Sequence, residues 1–267
     1  MVLLGYIGAV LIGLSLGLIG GGGSILTVPV LVYLMDVEPV AATAYSLFIV
    51  GLTSAVGGVY KYKEGTVNTN AAIMFGLPAI AAVFLTRKFL VPAMPDIMYS
   101  SGALTISKGT FLLILFAVLM LLAAVSMIRS NGKSANADQD KPAHKVNVLL
   151  VLLEGSFVGV LTGLVGAGGG FLIIPALVLL RKLPMKTAVG TSLVIIAAKS
   201  LFGFIGDLLT REIDWQLLII FSALAIAGIF FGNRMSAKIH GDKLKKAFGW
   251  FVLLMGFYIL LKETVFK

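Results

Sequence analysis

Between Phe111 and Met127 the chain carries one polar side chain, Ser126, and between Leu217 and Phe231 again only one, Ser222. Runs of this kind close off most soluble folds, because a helix in water needs a polar face. A helix that crosses a bilayer instead needs about 20 mostly apolar residues. Comparable stretches recur along the chain, with room for about eight to ten membrane segments. Composition agrees: 59% of the 267 residues are hydrophobic and 12% charged, with a mean hydropathy of +1.04. A soluble domain carries about 25% charged residues, and one of this size leaves too much surface outside to hide so much apolar matter. The fold class expected is an all-α integral membrane protein.

Several function classes fall away at once. The first basic residue is Lys61, so Val2 to Leu18 lacks the positive start of a cleavable signal and is expected to stay as the first membrane segment. There is no cysteine, which excludes disulfides, thiolate chemistry and cysteine metal sites. His144 and His240 fall in charged stretches, so no haem, zinc or copper site, and no cofactor, is expected. The net charge of +9 would suggest nucleic acid in a soluble protein. Here it reads as loop charge that orients helices, and nucleic acid is not an expected partner.

The chain repeats itself. Shifted by 146 residues, Gly13 to Leu34 falls on Gly159 to Leu180 with 11 identities in 22 pairs. They include Gly17/Gly163, Gly20/Gly166, Gly22/Gly168, Gly23/Gly169, Pro29/Pro175 and Leu31/Leu177. The match runs on without a gap through Ala42/Ala188, Ser46/Ser192, Ser54/Ser200 and Gly57/Gly203. Shared hydrophobicity does not align glycines and prolines, which mark special backbone geometry. Internal duplication follows, as found in many transporters.

Each half reads as one interrupted segment and three full helices. The first comprises Val2 to Leu18 with Ser24 to Met35, then Val40 to Val59, Asn70 to Leu85 and Gly109 to Ile128. The second comprises Val148 to Val165 with Phe171 to Leu180, then Thr187 to Leu208, Trp215 to Gly232 and Ala247 to Leu261. The expected organisation is a first membrane repeat at 1–128, a cytoplasmic linker at 129–146 and a second membrane repeat at 147–267.

Charge sets the orientation. With the linker in the cytoplasm, the inner loops hold 14 of the 21 Lys and Arg residues and the outer loops six, among them Arg87, Lys88 and Lys108; Lys199 lies within the membrane. Cytoplasmic loops are expected to carry that excess. Equivalent loops also change sign: Asp36 and Glu38 follow the first short segment, Arg181 and Lys182 the second. A parallel repeat gives no reason for the reversal, so an inverted-topology repeat with both termini outside is expected.

The interruptions are Gly20-Gly21-Gly22-Gly23 and Gly166-Ala167-Gly168-Gly169-Gly170. Glycine weakens a helix by about 1 kcal/mol against alanine, and the pieces that follow are too short to span. Each segment is therefore read as a hairpin turning inside the membrane. Irregular backbone at that depth is tolerated only where it is buried in protein or lines a wet cavity. A helix that starts there offers unsatisfied N–H groups and the positive end of its dipole, the elements of an anion site. The competing reading, that the glycines merely permit close helix packing, is weakened by the two runs being matched.

The candidate substrate-binding residues are Gly20, Gly21, Gly22, Gly23, Ser24, Gly168, Gly169 and Gly170 at the breaks, with Tyr45, Ser46, Thr191 and Ser192 at equivalent places on the next helix of each half. The hydroxyls can donate to an anion, or can bond their own helix backbone. Lys199 stands in mid-helix, opposite Thr53 of the first half. A charge at that depth costs about 3 kcal/mol or more, so it neutralises a bound anion, pairs with Glu154 or Asp207, or snorkels to one face. Glu154, about six residues into its helix, reads as interfacial or as a proton-coupling group.

With Gly17-Leu18-Ile19-Gly20-Gly21-Gly22-Gly23 and Pro29, with Gly163-Leu164-Val165-Gly166-Ala167-Gly168-Gly169-Gly170 and Pro175, and with Ala188-Val189-Gly190-Thr191-Ser192, the sequence resembles the TauE/SafE sulfite exporter family, also called the toluene-sulfonate uptake permease family. The resemblance spans the chain in length and duplication. It implies a multi-pass carrier in the bacterial cytoplasmic (inner) membrane for sulfite, sulfonates or related small organic anions.

The function expected is a secondary transporter of small sulfur-containing anions working by alternating access, with the lipid bilayer and a small anionic substrate as partners. A homodimer and a coupling proton or ion stay open. The alternatives are a passive anion channel, which needs weak, multiple sites, and a transporter of another small organic anion. No Gly-x4-Gly-Lys-Ser/Thr loop is present, so ATP is not the direct driver. No metal-binding or nucleophile-and-base pattern supports an enzyme, and there is no large soluble domain to suggest a scaffold.

Overall fold

The computed structural model describes residues 2–101, 104–129, 148–180, 183–208, 212–236 and 241–265. Helix α1 (Val2–Ile19) runs into Gly20, then a 3-10 turn over Gly21–Leu26 and the short α2 (Thr27–Tyr33). The chain turns at Asp36, whose φ is 57°, into α3 (Pro39–Lys63). Glu38 caps α3, its carboxylate accepting from the Val40 and Ala41 N–H groups at 3.0 and 2.8 Å, with Pro39 as the first helical residue. Asn68 caps α4 (Thr69–Leu85) through the Ala71 N–H at 2.9 Å. That helix continues through a π-helical turn, Thr86–Leu90, into α5 (Val91–Ala93). An antiparallel pair, β1 (Ile97–Ser101) and β2 (Leu104–Ser107), leads to α6 (Lys108–Arg129). The second half holds α7 (Val148–Val165), α8 (Gly170–Leu180), α9 (Met185–Leu208), α10 (Trp215–Ser236) and α11 (Gly241–Thr264).

The protein is an all-α integral membrane protein. Among the described residues six helices are long and apolar enough to cross a bilayer: α1, α3, the α4–α5 unit, α6, α9 and α10. Their outward faces are apolar, with Leu3, Leu77, Leu122, Phe202, Ile219 and Phe231 exposed, as lipid-facing positions are.

Three differences from the sequence expectation stand out. Helices start earlier or end later where polar residues continue the spiral, as with Lys61 and Lys63 at the end of α3 and Lys186 in the first turn of α9. The strand pair had no alternating pattern long enough to announce it. The first short helix does not begin at Ser24: a 3-10 turn occupies that stretch, and only seven residues of α helix follow. Most of the linker expected at 129–146, with His144, lies outside the described residues, as do Arg181, Lys182 and His240.

Packing follows the duplication. Gly13 lies against the backbone of Ala225 and Gly17 against Ile229 and Gly232, which packs α1 on α10; at the 146-residue shift, Gly159 lies against Ala79 and Gly163 against Val83 and Thr86, which packs α7 on α4. A Cβ at Gly159 would sit 2.6 Å from the Ala79 carbonyl oxygen, so only glycine permits this approach; small residues play this role throughout membrane proteins. In both pairs the contacts advance together, so the helices run parallel. The equivalent helices α3 and α9 run antiparallel, with Leu47 near Gly203, Gly51 near Leu201 and Gly58 near Val194. So do α6 and α11, with Ile128 near Gly249 and Leu121 near Gly256.

Candidate anion site at the paired helix breaks

Gly20 and Gly166 occupy equivalent positions and both are left-handed, with φ of 77° and 71°. That region is costly for a residue with a Cβ. From there the halves diverge. In the first, the 3-10 turn starts immediately, and Ser24 donates its hydroxyl back to the Gly21 carbonyl at 2.7 Å. In the second, the chain stays irregular until a second left-handed residue, Gly169, with φ of 73°. The N–H groups of Leu172 and Ile173 both bond the Gly169 carbonyl at 2.9 Å. The N–H groups of Gly170 and Phe171 therefore open α8 without an intrahelical acceptor.

The breaks meet at the centre of the protein. Gly21 and Gly170 pack backbone on backbone, so that a Cβ on either would collide with the other. Gly168 lies beside Ser24, Val50 and Ile196. Gly20, Gly21, Gly23, Ser24 and Gly166 to Gly170 are all buried, and Gly22 lies in the 3-10 turn between them.

Lys199 completes this cluster. It is fully buried on α9, about 21 Å along the axis from the start of the helix and about 14 Å from its end, at 1.5 Å per residue. Its Nζ donates to Thr162 Oγ1 on α7 at 2.6 Å, and the Thr162 hydroxyl passes its own proton to the Val158 carbonyl at 2.7 Å. A Cβ on Gly169 would lie 2.9 Å from Nζ, so the side-chain nitrogen sits against the second bend. Among the described residues no carboxylate lies within ion-pairing distance of it: Asp207 pairs with Arg87, and Glu154 is half-buried on α7 without an ion pair. Thr162 escaped the sequence reading. Its signal was a polar residue aligned with Leu16, between the matched pairs Gly13/Gly159 and Gly17/Gly163.

The hydroxyl candidates have other tasks. Tyr45 accepts the Asp214 N–H at 2.9 Å and Thr191 accepts the Asn68 N–H at 2.9 Å. Asp214 and Asn68 are themselves equivalent, each capping the helix that follows. Tyr45 and Thr191 thus brace helix ends, each from the opposite half. Ser192 donates to the Val189 carbonyl at 2.8 Å. Ser46 is fully buried, with no hydrogen-bond partner for its hydroxyl among the described residues.

Two cations assigned to outer loops lie inside the protein. Lys108 is buried and donates to the Met94 carbonyl at 3.2 Å. Arg87 is fully buried: its NH1 donates to Thr43 Oγ1 at 3.0 Å and lies 3.4 Å from Asp207 Oδ2. The sequence suggested a loop because Arg87-Lys88 ends an apolar run. The π-helical turn carries the helix past that point and rotates Arg87 inward.

A family profile described as "Sulfite exporter TauE/SafE" matches residues 5–259. A probable membrane transporter protein of Xylella fastidiosa is 29% identical over 260 residues, covering 95% of this chain and 92% of that protein. The probable membrane transporter protein YunE of Bacillus subtilis is 28% identical over 271 residues, covering 94% of this chain and 93% of its own. A probable membrane transporter protein of Methanocaldococcus jannaschii is 26% identical over 277 residues, covering 98% of this chain and 94% of that protein. No solved structure matches the chain.

Proposed function

Because this chain belongs to the sulfite exporter TauE/SafE family, and is a multi-pass membrane transporter rather than an enzyme, we propose that it carries small sulfur-containing anions across the cytoplasmic membrane by alternating access. Sulfite, sulfonates and related organic anions are the substrate class. One observation carries this reading: the buried Lys199 ammonium lies against the Gly169 bend, where α8 begins. An oxyanion there meets the amide N–H groups of Gly170 and Phe171, the positive end of the α8 dipole and a full positive charge. The glycines supply close backbone approach, and Thr162 holds the lysine in place. Gly21, Gly168 and Ser24 form the opposing wall. All of these groups are buried, so the conformation described is an occluded one in this reading. Opening to either side is the transport step.

The two repeats, 1–128 and 147–267, are in this proposal inverted with respect to the membrane, with both termini outside and the linker in the cytoplasm. Two observations support it: equivalent helices run antiparallel, α3 against α9 and α6 against α11, and Lys and Arg favour the loops assigned inside. Tags on both termini should be reached from outside intact cells; cytoplasmic tags on both would overturn the orientation.

The decisive experiment is a binding screen of purified protein by thermal shift and calorimetry, comparing sulfite, alkyl sulfonates, sulfate, carboxylates and monovalent cations. A sulfur oxyanion should stabilise the protein most. A preference for cations would end the anion reading. A preference for carboxylates would replace the sulfur anion by another small organic anion. Saturable flux with counterflow in proteoliposomes distinguishes a carrier from a passive channel.

A further inference from the structure

Where α4 and α9 end, on one face of the protein, Arg87 and Asp207 form an ion pair with both side chains withdrawn from solvent. Arg87 also bonds Thr43 near the start of α3, and the backbone of Thr43 lies directly against Gly166, the first residue of the second break. Four elements are therefore joined through one guanidinium: the π-helical turn, the last turn of α9, the first turns of α3 and the break that leads to Gly169.

Among the described residues the opposite face has the same junction without a buried ion pair. At the 146-residue shift Arg87 becomes Asn233, Asp207 becomes Lys61, Thr43 becomes Val189 and Gly166 becomes Gly20. Gly20 packs against the methyl groups of Val189. Lys61 pairs with Glu64 of its own helix end at 2.9 Å, on the partly exposed rim. The helices at the two junctions nevertheless pack alike, Thr86 on Gly163 and Gly232 on Gly17. A pair that the fold itself required would be required twice.

We propose that Arg87–Asp207 is the latch of its own face, closing the path from the anion site to that side of the membrane and parting when that path opens. A buried ion pair is a weak device for stability, because desolvation offsets much of the attraction, and its best-attested use is to specify one arrangement over another. Water entering an open path rehydrates both ends and removes the desolvation cost. The pair therefore discriminates between a closed dry state and an open wet one. Arg87 is on this account a positioning residue that never touches the substrate. The inference rests on the carrier reading above.

The chain has no cysteine, so single reporters can be placed without background. Ser46→Cys lies one turn beyond Thr43 on α3, and Ser192→Cys is its equivalent near the start of α9; both positions are fully buried. Maleimide labelling is measured in nanodiscs, where both faces meet the reagent. The neutral pair Arg87→Gln with Asp207→Asn removes both charges of the pair together. It should raise labelling at Ser46→Cys tenfold or more and leave Ser192→Cys unchanged. Unchanged labelling at both positions, or an equal rise at both, overturns the latch. Should that double variant fail to fold, Arg87→Lys, which keeps the charge but loses the planar fork, should label at Ser46→Cys faster than the parent; labelling at the parent rate overturns the latch as well. A sulfite thermal shift on the parent tests the carrier reading separately: with that shift present and labelling unchanged, only the latch falls.

Discussion

Lys199→Met keeps an unbranched side chain in the same slot and removes its charge. In the empty protein the ammonium is fully buried far from both ends of α9. Its presence at that depth costs about 3 kcal/mol, offset by a charge-assisted hydrogen bond to Thr162 of about 2 kcal/mol. Thr162 keeps its bond to the Val158 carbonyl when the lysine is gone, so no donor is stranded. The empty variant should therefore be about 1 kcal/mol more stable than the parent. Anion binding should move the other way. A hydrogen bond to a charged partner contributes about 1.5–3 kcal/mol, which makes affinity about 10- to 150-fold weaker. With sulfite at 100 times the parent's Kd, ligand stabilisation is about 2.7 kcal/mol; a 50-fold weaker variant at the same concentration keeps about 0.6 kcal/mol. Melting curves with and without sulfite, backed by calorimetric Kd values, read both effects. A variant that melts lower when empty and binds sulfite as the parent does would show that Lys199 is a structural strut, and the proposed site would lose its charge.

Thr162→Val strips the acceptor from Lys199 and leaves a buried cation unpaired; stability should fall by about 1.5–3 kcal/mol, and Lys199→Met in the same chain should recover most of it in a double-mutant cycle. Gly169→Ala must hold a Cβ at φ of 73° beside Thr162 and Lys199 Nζ, costing about 1–2 kcal/mol from the backbone alone, and should abolish sulfite binding; Gly76→Ala, whose Cβ would meet only Ile195 Cγ1 at 3.8 Å, should bind normally and gain up to about 1 kcal/mol of helix stability. Tyr45→Phe and Thr191→Val each take an acceptor from a helix-capping N–H, so each should lower stability by about 1 kcal/mol and leave the sulfite Kd unchanged; a change in Kd without a change in melting would put these hydroxyls at the substrate.

What could be read from the sequence was whatever repeats or clusters along it. Apolar runs announced the helices, because a bilayer imposes one length and one polarity on every span. The paired glycines and prolines announced both the duplication and the breaks, because few residues tolerate those backbones. Lys199 was visible as a charge in an apolar segment. Its partner was not: Thr162 is a small hydroxyl in a helix whose polarity barely departs from its neighbours, and only the tertiary fold, with α4 packed against both α7 and α9, brings the two together. Tyr45 and Thr191 are ambiguous for a related reason. Their equivalence signalled a shared role, but a hydroxyl can accept from a capping N–H as readily as it can donate to a substrate, and sequence does not tell which.

Arg87 shows where the positional logic of loops fails. Charge at the end of an apolar run marks a helix end only if the helix stops there. One π-helical turn carries Arg87 inside the protein, where Thr43 and Asp207 receive it. Lys199 against Thr53, Thr162 against Leu16, Arg87 against Asn233 and Asp207 against Lys61 each break the symmetry of the halves, and each of the four first-named residues carries buried charge or holds it. Duplication builds two equal scaffolds. A single anion needs only one charged cradle, since a second buried cation would cost about 3 kcal/mol without a second ligand to offset it. In the proposed reading the anion is therefore held at the second break, with the first as its neutral wall.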